Sequence, residues 1–344
     1  MNINDERKTM NNLKKVGLSA LAGSLAMVSA QAVEYSVSGD AQAVYSSAQG
    51  NENATESSNG KGIGVDTDLA FSAAGELDNG WTVSVNSLYN TDGTVTNSSN
   101  QMTIGMGSLG TFQFNDVLGS AANGIDDVLP FAYEEPWDGT TTTSEFNIFG
   151  SATTKGSIDY RTPAFDMMGL TMSATATYDP AADVVAPSAG AVGADGPSGE
   201  AFTVKIAHES GVTIGGGNES VGNTNATVGQ DAATGYIKYA AGPVTVGYQE
   251  FYYNAASGAA DSEGDGYAIA YTAGDMSFSY SVQKEKTKAV SATAALEEEE
   301  LSAIQATYTM GAMTIGASIY ETDNIEGVAS TKYEETELSV SFAF

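Results

Sequence analysis

Apolar and polar residues alternate with a period of two along almost the whole chain after residue 32, and this pattern limits the possible folds most. From Val33 to Tyr45, apolar or small residues occupy one face, and polar residues such as Glu34 and Asp40 occupy the other. The same alternation recurs at residues 276–283 and 313–320. A period of two indicates a β-strand with one wet face and one apolar face. No helical periodicity competes with it, so we expect an all-β protein.

Turn signals divide this region into sixteen predicted strands. They span residues 33–46, 62–76, 81–90, 100–108, 111–116, 156–162, 169–178, 200–209, 212–219, 234–241, 243–254, 265–273, 276–286, 299–309, 312–323 and 332–344. Tight turns such as Leu109-Gly110 alternate with long polar loops such as residues 179–199 and 287–298. An even strand number, with short turns on one rim and long loops on the other, is typical of an outer-membrane barrel. We predict a transmembrane antiparallel up-and-down β-barrel of sixteen strands.

Two other all-β folds are alternatives to the barrel. A soluble acidic β-sandwich gives the same alternation, because its strands turn their apolar faces inward. A β-solenoid would show a fixed repeat length, and neither such a repeat nor the calcium-binding nonapeptide pattern is present. The even strand count, the alternating connection lengths and the two chain termini favour the barrel.

The N-terminal region predicts export from the cytoplasm. Lys14 and Lys15 precede an apolar run at residues 16–28, and Ala30-Gln31-Ala32 follows it. This order is that of a secretory signal peptide, so we predict a signal at residues 1–32 with cleavage after Ala32. Met10 is a more ordinary start than Met1, and a retained membrane helix is the alternative reading. Residues 33–344 then form a single barrel domain in the bacterial outer membrane.

The composition excludes most enzyme chemistry. The chain has no cysteine and one histidine, His208, which argues against thiolate metal sites, histidine-based catalysis and multi-histidine zinc sites. Ser281 to Lys284 has the S-x-x-K spacing but lies on a strand pattern and lacks its companion motifs. A phosphate-binding loop and a nucleophile elbow are also missing from the sequence. We expect no enzymatic activity.

The charge balance limits the partners. The formal net charge is -30, so binding to nucleic acid is not expected. Only 16% of residues are charged, which distinguishes the chain from a disordered acidic tail. The acid pairs Asp126-Asp127 and Glu134-Glu135, together with the run Glu297 to Glu300, offer oxygen ligands for weakly bound calcium. No spacing matches a calcium loop. We favour the interpretation that these acids are solvated negative charges, and we expect no cofactor.

The longest segment without a sustained strand pattern runs from residue 117 to 155. A loop of this length in a compact domain needs a functional reason. It combines the bulky residues Leu129, Phe131 and Trp137 with six acids. We predict that it folds inward and narrows a water-filled barrel. The acids that we expect to line this constriction are Asp126, Asp127, Glu134, Glu135, Asp138 and Glu145.

Alternation also identifies charged side chains on the polar face of the wall. Arg161, Lys205 and Lys238 are the basic candidates, each flanked by apolar residues or residues of the opposite face. Three early acids, Asp40, Asp66 and Asp68, occupy the same face. Because basic residues are few, we predict a pore that prefers cations. The alternative for any one of the acids is a position on the solvated rim, where it would affect only solubility.

The chain terminus and two internal runs resemble a known family. The sequence ends Leu338-Ser-Val-Ser-Phe-Ala-Phe344, and the runs Gly110 to Asp116 and Ile158 to Pro163 flank the long loop. In these features, and in the architecture of residues 33–344, the chain resembles the Gram-negative general porins. The resemblance implies that a terminal Phe is an assembly signal, that the third long loop forms an eyelet, and that three barrels associate. By order, residues 117–155 are the third long loop.

These observations predict an outer-membrane porin, embedded in lipid as a homotrimer, through which small hydrophilic solutes and ions diffuse passively. A substrate-selective channel is the nearest alternative, and it would need an aromatic track or a ligand pocket along the pore. An acidic surface or adhesion protein without pore activity is the alternative from another class. An outer-membrane barrel enzyme is disfavoured because no serine and histidine constellation is present.

Overall fold

The computed structural model describes most of the predicted barrel. The described residues are 34–50, 59–90, 94–116, 120–139, 149–150, 153, 156–182, 197–222, 229–255, 261–288 and 296–344. The predicted signal peptide lies outside these ranges, as does Glu145 of the predicted constriction. The side chain of Asp138 is likewise outside what the structure describes.

Strands make up nearly all of the regular structure. They are β1 (Glu34–Gly50), β2 (Gly60–Glu76), β3 (Thr82–Asn90), β4 (Thr96–Gly105), β5 (Thr111–Asp116), β6 (Ser157–Arg161), β7 (Phe165–Met167), β8 (Leu170–Asp179), β9 (Gly199–His208), β10 (Val212–Val221), β11 (Gln230–Ala241), β12 (Val244–Asn254), β13 (Ser262–Ala273), β14 (Met276–Thr287), β15 (Glu299–Met310), β16 (Met313–Asp323) and β17 (Lys332–Ala343). Short 3-10 turns lie at Gly107–Leu109, Asn123–Ile125, Pro136–Gly139 and Ile325–Gly327. In the described ranges, no helix is long enough and apolar enough to span a bilayer.

The strands form one closed antiparallel sheet. Each strand pairs with its neighbours in chain order, and β1 pairs with both β2 and β17. β6 and β7 share one position, because both pair with the same edge of β8: Arg161 lies opposite Thr175 and Phe165 lies opposite Met172. The seventeen strands therefore occupy sixteen positions, which confirms the predicted sixteen-stranded barrel.

The short strand β7 was not predicted. The sequence pattern indicated one strand at residues 156–162, whereas the structure continues that position to Met167 after a gap around Pro163. Proline has no backbone N–H to donate to the ladder, which accounts for the interruption. Thr162, which directly precedes Pro163, still donates its backbone N–H to the carbonyl oxygen of Ala174 at 2.9 Å.

The C-terminus closes the barrel against β1. Asp40 lies opposite Ala343, and the pairing continues to Gly50 opposite Tyr333. Beyond the last paired row, Gly39 and Phe344 exchange two backbone hydrogen bonds of 2.8 and 2.9 Å. The final residue of the chain is thus part of the seam that joins the two ends of the sheet.

The two faces of the wall are those that the alternation predicts. On β16, Ile315 and Ile319 are 36% and 48% exposed, whereas Ser318 and Tyr320 are 2% and 0% exposed. Apolar side chains therefore cover the outer surface and polar side chains face the interior. A soluble sandwich would show the reverse, so that alternative is wrong. Several apolar side chains of the strands are nevertheless buried, including Leu88, Val221, Phe251, Val282 and Leu301.

Candidate functional site

The segment that follows β5 returns to the wall through two buried carboxylates. Asp159 on β6 accepts the backbone N–H of Ala121 at 2.8 Å. Glu219 on β10 accepts the N–H of Gly150 at 2.9 Å and the hydroxyl of Thr153 at 2.7 Å. Both acids belong to the polar face of the wall, since alternation along each strand turns them inward. They fasten the beginning and the end of the described part of the long loop.

Between these points, the side chain of Gln249 on β12 pairs with the loop backbone. Its Oε1 accepts the N–H of Val128 at 2.9 Å, and its Nε2 donates to the carbonyl oxygen of Asp126 at 2.7 Å. Nearby, Gln283 on β14 donates to the carboxylate of Asp127 at 2.7 Å. Residues 126–128 are therefore held by the polar faces of two strands.

A second set of contacts holds residues 132–134. Gln305 on β15 accepts the N–H of Tyr133 at 3.1 Å and donates to the carbonyl oxygen of Glu134 at 2.6 Å. Ser279 on β14 accepts the N–H of Ala132 at 2.9 Å. The Tyr320 hydroxyl on β16 donates to the Glu134 carboxylate at 2.6 Å. The segment is thus bonded to polar-face side chains of several successive strands.

Two glycines allow the segment to approach the wall closely. A Cβ on Gly247 of β12 would lie 2.7 Å from Cδ of Pro130. A Cβ on Gly316 of β16 would lie 2.5 Å from the ring of Tyr133. Any other residue would meet these side chains, so the missing Cβ atoms form the recesses into which Pro130 and Tyr133 fit.

The phenol of Tyr133 lies in this layer between segment and wall. Gln42 on β1 donates its amide N–H to the phenolic oxygen at 2.7 Å. Burial raises the pKa of Tyr133 well above its ordinary value, and the nearby carboxylates of Glu134 and Glu337 raise that pKa further. The phenol therefore stays neutral throughout the physiological range.

Of the predicted constriction acids, those described lie at the wall. Asp126 and Asp127 are 0% and 3% exposed, and each accepts a backbone N–H within the loop, from Asp127 and Leu129 respectively. Glu135 is buried, while Glu134 is partly exposed and bound by Tyr320. Their influence on passing ions stays a prediction. Sequence patterns did not predict the burial of the first two, because alternation orients residues only within strands.

The predicted wall residues fall on two sides of the barrel. Asp40 and Asp68 are directly opposite each other on β1 and β2, and Asp66 accepts the Asn90 amide at 3.3 Å. The basic residues lie toward the far side of the sheet, on β6, β9 and β11. Arg161 forms a 3.0 Å ion pair with Asp159, Lys205 is exposed, and Lys238 lies 5.9 Å from the ring centroid of Tyr236.

In the ranges that the structure covers, His208 and the acidic run at the start of β15 have local polar partners. His208 lies at the end of β9, where its Nδ1 is 2.7 Å from the hydroxyl of Ser210 in the following turn. Within those ranges, no three His, Asp or Glu side chains are grouped to hold a metal ion. In the acidic run at the start of β15, Glu298 and Glu300 both contact Lys284.

Sequence reasoning did not identify the residues that hold the segment. Gln249, Gln283 and Gln305 were not singled out from the sequence. Their signal in the sequence is that each is a long amide two residues after a small residue on the same face of its strand, namely Gly247, Ser281 and Ala303. A long inward amide is needed only where something lies within its reach.

Several solved structures have a fold similar to that of this chain. An anion-selective porin from Comamonas acidovorans superposes with a TM-score of 0.66 at 11% identity, covering 91% of this chain and 100% of that one. OmpF of Salmonella typhi in complex with daunomycin gives 0.63 at 12% identity, with 90% and 97% covered. The trimer form of OmpT, an outer membrane protein of Vibrio cholerae, gives 0.62 at 10% identity, with 92% and 100% covered. At these identities the likeness shows the fold.

The family follows from the sequence itself. No curated protein sequence matches the chain. The family model described as Gram-negative porin matches residues 17–344, which is nearly the whole chain. Together with the closed sixteen-stranded barrel, this match makes the chain a member of the Gram-negative porin family.

Proposed function

We propose that this protein is a passive diffusion pore of the outer membrane, which small hydrophilic solutes and ions cross without chemistry. The observation that carries the proposal is the pairing of a closed sixteen-position barrel with a polar interior and an apolar exterior. A barrel of this size is wide enough for water, and its apolar outer band suits lipid. The signal peptide predicted at residues 1–32 agrees with this location.

The long loop supplies the constriction in this proposal. Its support is the set of hydrogen bonds that join residues 121–134 to side chains of the barrel interior. A segment bonded to the interior of β6, β12, β14, β15 and β16 takes up part of the cross-section. The remaining opening is bounded by the segment and by the polar-face side chains of the wall that the segment does not cover. Its width determines the largest solute that passes.

The proposed ion preference is for cations. The interior carries Asp40, Asp66 and Asp68 on β1 and β2, together with the acids of the segment, whereas Arg161 is already paired with Asp159. Lys205 and Lys238 are the basic residues that oppose them. The Comamonas porin is described as anion-selective, so the shared fold leaves the sign of selectivity to the side chains of each interior.

The proposed assembly is a homotrimer, without cofactor or nucleic acid partner. It is supported by family membership and by the Vibrio OmpT structure, which is described as a trimer form. Calcium at the acidic loops would be weakly held and is not part of the transport proposal.

A planar lipid bilayer tests the proposal. Purified, folded protein should give conductance steps in groups of three, and a salt gradient should give a reversal potential on the cation side. A reversal potential on the anion side would overturn the cation preference alone. Folded protein that gives no steps would overturn the pore and favour the surface or adhesion alternative.

A further inference from the structure

Three buried glutamines of the wall contact the segment that forms the proposed constriction. Gln249 on β12, Gln283 on β14 and Gln305 on β15 are 0%, 2% and 1% exposed. We propose that these three carboxamides, the glutamine clamp, are positioning residues that hold residues 126–134 in place and thereby keep the pore at a single conductance. This inference rests on the proposed function, because it concerns the opening that the segment leaves.

Gln249 binds the segment as a peptide group would. Its acceptor receives the N–H of Val128 at 2.9 Å while its donor reaches the carbonyl oxygen of Asp126 at 2.7 Å. The second N–H reaches the hydroxyl of Thr234 at 2.8 Å, which orients the amide from the wall side. A carboxylate at this position would turn lone pairs toward a carbonyl oxygen, and an amine would offer no acceptor.

Gln305 repeats this two-way pairing farther along the segment. It accepts from Tyr133 at 3.1 Å and donates to the carbonyl oxygen of Glu134 at 2.6 Å. Pro130 and Phe131 lie between the two paired stretches. Two double hydrogen bonds, one on each side, fix both the position of the segment along the wall and its rotation about its own axis.

Gln283 completes the clamp by donating to Asp127 at 2.7 Å. The three glutamine side chains are buried, and a neutral donor in such a layer costs far less desolvation than a charged one. Neutral amides therefore suit this layer better than lysine or ionised glutamate of similar length. The clamp needs neutral side chains that can donate a hydrogen bond, and not merely polar ones.

The test exchanges each amide for a carboxyl group of almost the same shape. Gln249→Glu and Gln305→Glu are compared with wild type and with Gln101→Glu, which makes the same charge change on the polar face of β4, outside the clamp. Single-channel records are taken near pH 7.5, where a glutamate is ionised, and near pH 4.5, where a buried glutamate regains its proton. A protonated carboxyl has one donor and one acceptor, so it restores both bonds to the backbone of the segment, although not the bond from Gln249 to Thr234.

Other ionisable groups face Gln249 and experience the same change of pH. They are Asp126 and Asp127 of the segment, with Tyr236 and Lys238 on the adjacent β11. Wild type and Gln101→Glu contain all four groups, so recording both proteins at both pH values separates their titration from that of the introduced carboxyl.

We expect the two clamp variants near pH 7.5 to show brief closures or sublevels about tenfold or more as often as wild type, since each loses a donor and gains a repulsion. Near pH 4.5 the excess should disappear. Clamp variants indistinguishable from Gln101→Glu, or an excess that acid does not remove, would overturn the clamp. A variant that fails to fold at neutral pH is refolded at acidic pH, and the pH is then raised for the recording. A silent wild type would instead overturn the pore proposal.

Discussion

The ring of Tyr133 lies so close to the backbone of Gly316 that a Cβ on this glycine would come within 2.5 Å of the ring. The contact joins the long loop to the middle of β16. It belongs to the same layer as the hydrogen bonds of Gln305 and Tyr320, so the recess at Gly316 and the polar contacts support each other.

Gly316→Ala should therefore destabilise the folded barrel by about 1–3 kcal/mol, the usual cost of overpacking a tight site. Unfolding in urea, followed by the shift in gel mobility between folded and unfolded barrel, measures this loss. Gly64→Ala is the matched control, because Gly64 also lies on a strand and nothing lies within 4 Å of its built Cβ. Equal stability of the two variants would show that Tyr133 moves aside without cost.

From the buried phenol of Tyr133 we also predict that the stability of the folded protein depends on pH. Burial and the carboxylates of Glu134 and Glu337 raise its pKa in the folded protein, whereas in the unfolded chain the pKa is about 10. Above that pH the unfolded chain loses a proton that the folded protein keeps, so stability should fall as the pH rises. Tyr133→Phe should flatten this decline while lowering stability at neutral pH, because the hydrogen bond from Gln42 is lost.

The variant Gln42→Ala separates the two effects. It removes the 2.7 Å hydrogen bond to the phenol but leaves the ionisable group in place. It should lower stability at neutral pH by roughly 1 kcal/mol and keep the alkaline decline. Stability measured between pH 8 and about 11 checks both variants. A decline that is equally steep in Tyr133→Phe would assign it to other groups.

The wall could be predicted from the sequence because a single rule governs it. Once β16 is a strand, Ile319 and Tyr320 must point to opposite faces, and their exposures of 48% and 0% follow from alternation alone. The short strand β7 was missed because the predicted strand ended at residue 162, just before Pro163. Short-range pattern therefore fixes the faces of strands well and their interruptions less well.

The long loop was harder to predict because no local rule orients its side chains. Asp126 was expected to line the opening, and it lies fully buried with its carbonyl oxygen bound by Gln249, 123 residues away. That contact exists because the closed barrel places β12 next to the loop. The acidic composition of the loop was readable from the sequence, but the direction of each carboxylate depends on tertiary contacts.

The turn between β7 and β8 carries a residue that its backbone does not favour. Met168 has φ of +54°, followed by Gly169 at +80°, and its side chain is 89% exposed. Two successive positive φ values indicate a hairpin turn in which Asn-Gly is preferred. Met168→Asn should stabilise the protein by about 0.5–1 kcal/mol. Urea unfolding checks this, with Met167→Asn on the adjoining strand as a control that should give no gain.

The charge of Lys205 should contribute to ion selectivity, because this residue is exposed on the polar face of β9. Lys205→Glu removes a positive charge from the interior and adds a negative one within a Debye length of passing ions, about 10 Å at 0.1 M salt. The reversal potential in a salt gradient should move further to the cation side, most clearly at low salt. Lys286→Glu makes the same charge change at an exposed position near the end of β14, on the face opposite to that of Gln283, and should move it much less. If both variants shift the potential equally, total charge rather than interior charge governs selectivity.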